Sequence, residues 1–134
     1  MNRERAIQYL LSVLDSILVL DECVKEILAI IAGSGVETRF FKLLVSRLKL
    51  LEAYGISVIE HHNEFEALGN HLFSMHLDVG DKNIRILYSF LPDGRAVLLL
   101  AFHERAGKSN TNYSKHIPPA QRRFQTKMEE NGYA

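Results

Sequence analysis

No tryptophan, three prolines and a single cysteine, Cys23, occur in the 134 residues. One cysteine closes no internal disulfide, and its usage suits a reducing cytoplasm, which is the expected location. Net charge is also missing: 16 Lys and Arg balance 16 Asp and Glu. That argues against a dedicated nucleic-acid binder. No uncharged apolar run reaches the ~18–20 residues that cross a bilayer. The most apolar stretch, Ala6 to Ala32, is interrupted by Asp15, Asp21, Glu22, Lys25 and Glu26. No basic start followed by a compact apolar run and a small-residue cleavage site marks a secretion signal. Repeats and low-complexity segments are absent, as are a phosphate-cradling glycine loop and a G-x-S-x-G elbow. His71 and His76 are five apart in a strand-like stretch, and His61-His62 has no Cys or paired acid at ligand spacing, so no metal and no cofactor are expected.

What is present is 47% apolar residues with 24% charged, the balance of one ordinary globular domain, expected over 1–134. The neutral total hides an asymmetry. From Phe102 to Lys127 there are six cations (Arg105, Lys108, Lys115, Arg122, Arg123 and Lys127) and one acid, Glu104, so this segment carries +5 and the rest −5. A basic patch on a neutral chain points to a polyanion met at one place, although a solvated helix face has the same look.

Residues 3–32 read as helix. Ala6, Leu10, Val13, Ile17, Leu20, Val24, Ile27 and Ile31 follow heptad spacing, with Asn2 at the start and Gly33 at the end. A straight helix of that length measures roughly 45 Å at 1.5 Å per residue, longer than a small domain is wide. A break near Asp15-Ser16 or Asp21, giving two helices, is therefore expected; a dimer seam is the alternative. Ser34 to Glu37 has capping-box spacing, and the helix it opens places Phe40, Leu43, Leu44, Leu48, Leu51 and Tyr54 on one face and Arg39, Lys42, Ser46 and Lys49 on the other. After Gly55 the period changes to two. Strands are expected at Ile56–Ile59, His71–Asp78, Ile84–Phe90 and Arg95–Phe102, with Pro92-Asp93-Gly94 turning the last hairpin. Gly107–Asn112 reads as a polar loop, and Pro118-Pro119 as the start of a last helix, Ala120–Glu130. The fold expected is α+β: N-terminal helices packed on an antiparallel four-stranded sheet, with a C-terminal helix.

Arg85 is the anomaly. A lone arginine in Ile-Arg-Ile-Leu-Tyr is costly against a sealed core. Alternation sets it on the face away from Ile84 and Ile86. There it either clamps a phosphate with two hydrogen bonds or pairs with an acid such as Asp78. The next strand exits at His103, so His103, Arg105 and Lys108 are expected beside Arg85. With Tyr113 to stack on a base, this describes a single-stranded RNA site.

The stretch Phe40 to Met128 resembles the RelE/HigB superfamily of bacterial toxins, in its phage-derived branch. The resemblance rests on the helix ending Leu-Leu-Glu-Ala-Tyr-Gly55, on Leu68-Gly69-Asn70-His71-Leu72-Phe73-Ser74-Met75, on Asn83-Ile84-Arg85-Ile86-Leu87-Tyr88, and on Val97 to Lys108, an apolar strand ending in a Phe and a cationic loop before a Tyr and a basic helix. It implies a cytoplasmic, ribosome-dependent endoribonuclease that cuts messenger RNA without metal, paired with a helix-turn-helix antitoxin. Arg85, Arg105 and Lys108 then contact the phosphate, His103 transfers a proton, Tyr113 stacks or moves a proton, and Lys115, Arg122 and Arg123 bind RNA. Residues 34–134 are the family-like part. Residues 1–33 depart from it, since members begin with a strand where this chain reads as helix. A gyrase poison on the same scaffold, or an inactive homologue that only binds its antitoxin, are the alternatives.

Overall fold

The computed structural model describes residues 16–104 and 109–133. The chain is α+β, built on a five-stranded mixed sheet in the order β1-β5-β4-β3-β2. The elements in sequence are β1 (Ile17–Val19), α1 (Asp21–Ile31), α2 (Glu37–Tyr54), a 3-10 turn (Gly55–Ser57), the short α3 (Val58–His61), β2 (Phe65–Gly69), β3 (Leu72–Val79), β4 (Lys82–Phe90), β5 (Ala96–His103) and α4 (Ser109–Glu130). Strands β2 to β5 form an antiparallel meander. β1 adds to β5 in parallel, with Leu18 opposite Val97.

The alternation in β3 and β4 sorts their side chains cleanly. Phe73, Met75, Leu77 and Val79, with Ile84, Ile86, Tyr88 and Phe90, face one side and meet α1 and α2 through Val24, Ile27, Ile31, Phe40, Leu44 and Leu48. On the opposite side Leu72, Leu87, Val97, Leu99 and Leu100 meet Ile117, Ala120, Phe124 and Met128 of α4. The sheet is thus packed between helices on both faces. β5 carries a bulge. Leu87 pairs with Leu100 but Tyr88 pairs with Leu98, which leaves Leu99 as the extra residue. Leu99 and Leu100 consequently point to the same face, and the strand's alternation shifts by one before it reaches His103.

Several expectations are corrected. The four-stranded antiparallel sheet is five-stranded and mixed, and the helix expected over 3–32 is replaced at 17–19 by β1, whose Ile and Val favour extended backbone. The helix of 21–31 begins at Asp21, one of the two break points expected; the residues before Ser16, where the first of the two helices was expected, lie outside the described residues. Ala6, Leu10 and Val13 lie outside the described residues; Ile17, Val24, Ile27 and Ile31 are spent on this chain's own core. Ile56–Ile59 is helical rather than extended, and Phe65–Gly69 is a strand. Tyr54 is 41% exposed instead of core. The last helix runs through Pro118 and Pro119 rather than beginning at them, which leaves the carbonyls of Ser114 and Lys115 without their usual amide donors. Among the described residues no helix is long and apolar enough to cross a membrane.

Candidate functional site

Where α4 begins, it leaves part of the sheet's second face uncovered. A cleft of about 510 Å³ opens there, lined by Glu66 and Leu68 of β2, His76 of β3, Arg85 of β4, Glu104 after β5, and Tyr113 and Ser114 of α4. Register builds it. His76 stands opposite Arg85, and Arg85 opposite Phe102, so the three share a face.

Two polar clusters meet in the cleft. In one, the His76 imidazole Nε2 lies 3.0 Å from Glu66 Oε1 and 3.3 Å from Tyr113 Oη, and Tyr113 Oη lies 2.9 Å from Ser74 Oγ. Burial pushes the Tyr113 phenol well above its ordinary 10, against a smaller pull downward from its bond with Ser74, so it stays protonated at neutral pH. The Tyr113 ring stands edge-on to Phe102 at 5.4 Å, which fixes its angle. Behind β3, Arg47 of α2 donates Nε–H to the His76 carbonyl at 2.9 Å and anchors that stretch of backbone.

The second cluster surrounds Arg85, whose side chain is 10% exposed. Nε donates to Glu104 Oε2 at 2.7 Å, and Nη1 donates to Asp78 Oδ1 at 2.7 Å and to the Ile84 carbonyl at 3.1 Å. Burial of the guanidinium is the largest single influence and works against its charge. The Asp78 hydrogen bond and the charges of Asp78 and Glu104 outweigh it, and the pKa lies above the ordinary arginine value. The acid-paired alternative for Arg85, with Asp78, is the one realised, and Glu104 joins it.

The remaining sequence candidates divide. Tyr113 and Arg85 are brought together in the cleft. His103 is not: it stands opposite Ile84 and therefore on the side of the sheet that meets α1 and α2, away from Arg85. The bulge at Leu99 helps place it there. Arg105 and Lys108 lie outside the described residues. Lys115 and Arg122 are exposed on α4. Arg123 is not a free RNA ligand. It grips Glu26 of α1 with Nη1 at 2.8 Å and Nη2 at 2.9 Å and donates to the Leu99 carbonyl. His76, Glu66, Ser74 and Glu104 were missed as site residues. For Ser74 and His76 the signal was the polar stripe Ser74, His76, Asp78 at every second position of a strand whose other face is wholly apolar; Glu66 and Glu104 reach the cleft through strand pairing and carry no such signal. Among the described residues no group of His, Cys, Asp or Glu is arranged to hold a metal ion.

No protein-family model matches the chain, nor does any curated protein or solved structure.

Proposed function

We propose that this chain is the toxin of a bacterial toxin–antitoxin pair of the RelE/HigB kind, acting as a metal-free endoribonuclease on messenger RNA at the ribosome. The observation that carries the reading is the cleft in which His76, Glu66, Tyr113 and Arg85 converge on the sheet face that α1 and α2 leave free. An acid–base pair beside a cation is what phosphodiester transesterification needs. The RNA's 2′-oxygen bonds to the adjacent phosphorus as the bond from phosphorus to the 5′-oxygen breaks. His76, held by Glu66 at 3.0 Å, takes the 2′-hydroxyl proton, and the imidazolium formed is stabilised by that carboxylate. The Tyr113 phenol, kept protonated by burial, gives a proton to the departing 5′-oxygen. Arg85 faces the charge that builds on the phosphoryl oxygens. Cations of the segment from Arg105 to Lys127 draw in the RNA backbone. His103, on the other side of the sheet, has no part in this reaction.

A second reading is favoured by a specific observation: Arg85 is held by Asp78 and Glu104, and Arg123 by Glu26. A site whose arginines are occupied suits a non-enzymatic inhibitor on this scaffold, or a homologue that only binds its antitoxin. Mapping of messenger cleavage after brief expression separates them. Under the ribonuclease reading His76→Ala folds normally and cuts about 10²–10⁴-fold more slowly, the usual cost of losing a general base. Growth arrest that persists in His76→Ala without any messenger cleavage would establish the non-enzymatic reading instead.

A further inference from the structure

Arg85 is fastened in an unusual way for a residue that must meet a phosphate. Each two-bond edge of the guanidinium is half taken: Glu104 accepts from Nε on one and Asp78 accepts from Nη1 on the other, while the Ile84 carbonyl also accepts from Nη1. Nη2 has no partner among the described residues, and Arg85 lines the cleft. Of the two carboxylates, Glu104 is the sheltered one. Its side chain is 14% exposed, against 59% for Asp78. Glu104 is itself fixed by the sheet, since its backbone N–H donates to the Asn83 carbonyl at 2.8 Å just past the end of β5.

We infer that Glu104 is a positioning residue for Arg85, which it presents to an RNA phosphate as a single oriented donor through Nη2 rather than as a two-bond fork. This rests on the ribonuclease reading above and deepens it. Three consequences follow from the geometry. The guanidinium loses little rotational freedom when the transition state forms, because three hydrogen bonds already hold it. The paired carboxylates leave the cluster with net charge −1, so Arg85 adds little to ground-state phosphate binding, and its effect falls on the step in which charge develops. Ground-state affinity for RNA then has to come from the basic segment that starts at Arg105, immediately after Glu104.

The test separates orientation from charge. Glu104→Ala removes both, while Glu104→Gln keeps an oxygen that accepts from Nε and removes only the charge. Cleavage of a messenger on ribosomes is measured for wild type and both variants, below the melting temperature of each. Glu104→Ala is expected to lower kcat by about 10- to 100-fold, the scale of a misaligned catalytic group, with KM little altered. Glu104→Gln is expected to restore most of that turnover and to lower KM, because a negative charge has left the phosphate's surroundings. The Arg85 Nε–H resonance in ¹⁵N-resolved NMR, shifted and protected in wild type, persists in the Gln variant and is lost in the Ala variant. Equal turnover in Glu104→Ala and wild type overturns the inference while leaving the ribonuclease reading intact. So does a Gln variant as slow as the Ala variant. A wild-type protein that cuts no messenger overturns the ribonuclease reading and this role with it.

Discussion

The Glu26–Arg123 pair closes the exposed edge of β5, and its removal has a calculable cost. β1 is only three residues long and covers β5 from Ala96 to Leu98. Beyond that point β5 has no strand partner on that side among the described residues. Glu26 Oε1 accepts from the Ala101 amide at 3.1 Å, and Arg123 donates to the Leu99 carbonyl at 2.9 Å, while the two side chains grip each other. One residue comes from α1 on the first face and the other from α4 on the second, so the pair clasps both helical layers at the bulge. Exposed ion pairs contribute about 0–1 kcal/mol, and breaking a fully buried pair costs about 3–5 kcal/mol. Side-chain exposures of 24% and 31% put this pair between those limits. Glu26→Ala also leaves the Ala101 N–H without its acceptor, a further cost of about 1 kcal/mol once water reaches it. The expected loss is about 3 kcal/mol, or roughly 10 °C in Tm for a chain of this size. Urea denaturation of Glu26→Ala, Arg123→Ala and the double variant checks it. The two single losses together should exceed the loss in the double variant by a coupling energy of about 1–2 kcal/mol. The Ala101 amide should exchange faster in the Glu26 variant alone. Additive singles, or a loss under ~1 kcal/mol, would refute the idea that this clasp secures the edge.

Three further outcomes are expected. Tyr88 is fully buried among Phe73, Phe65 and Phe90, and its hydroxyl has no partner among the described residues; Tyr88→Phe keeps the rings and should raise stability by up to about 1–2 kcal/mol, and a destabilised variant in a urea titration would contradict this. Burial, with the charge of Glu26 adding to it, pushes the Cys23 thiol well above its ordinary value, so the native protein should not react with a thiol reagent at pH 8 and should react once unfolded. Burial, with the charge of Lys115 second, holds the His116 imidazole below its usual 6.5. The unfolded chain therefore binds the proton more readily, and this contribution to stability is whole above about 6.5 and declines as pH falls below it. His116→Phe, which keeps the ring stacked on Phe102 at 4.2 Å, should flatten that part of the stability–pH curve; an unchanged slope would assign it to another group.

The parts of the fold legible in the sequence are those where a long element has one face buried. β3 and β4 alternate over eight and nine residues, and their inward sets were read correctly. β1 was hidden because Ile17, Leu18 and Val19 sit inside heptad spacing that continues into α1. Three residues are too few to show a period of two. β2 was hidden for a different reason. Only Phe65 of its five residues is buried, and Ala67 and Gly69 carry little β preference. The prolines at 118 and 119 misled in the opposite direction, since local preference places them at a helix start, whereas packing of Ile117, Ala120 and Phe124 against the sheet carries α4 through them.

For the site, composition and alternation marked one residue and register decided its company. Arg85 stood out because a charge in an apolar strand needs a reason, and both reasons offered for it, a phosphate or Asp78, lay within reach of the sequence. Which neighbours it meets was not within reach. Glu104 is nineteen positions away, across a hairpin. His76 and Phe102 reach Arg85 only through two pairings, each of which would reverse with a slip of one residue. The bulge at Leu99 is such a slip, built into β5. It turns His103 to the side packed by α1 and α2, so the histidine on the cleft face is His76. Ser74 and Asp78 share the face of β3 that carries His76, and that face borders the cleft. A polar stripe on one side of a strand and unbroken apolar residues on the other already require an opening over the polar side, because side chains of that kind are not sealed against a helix without partners.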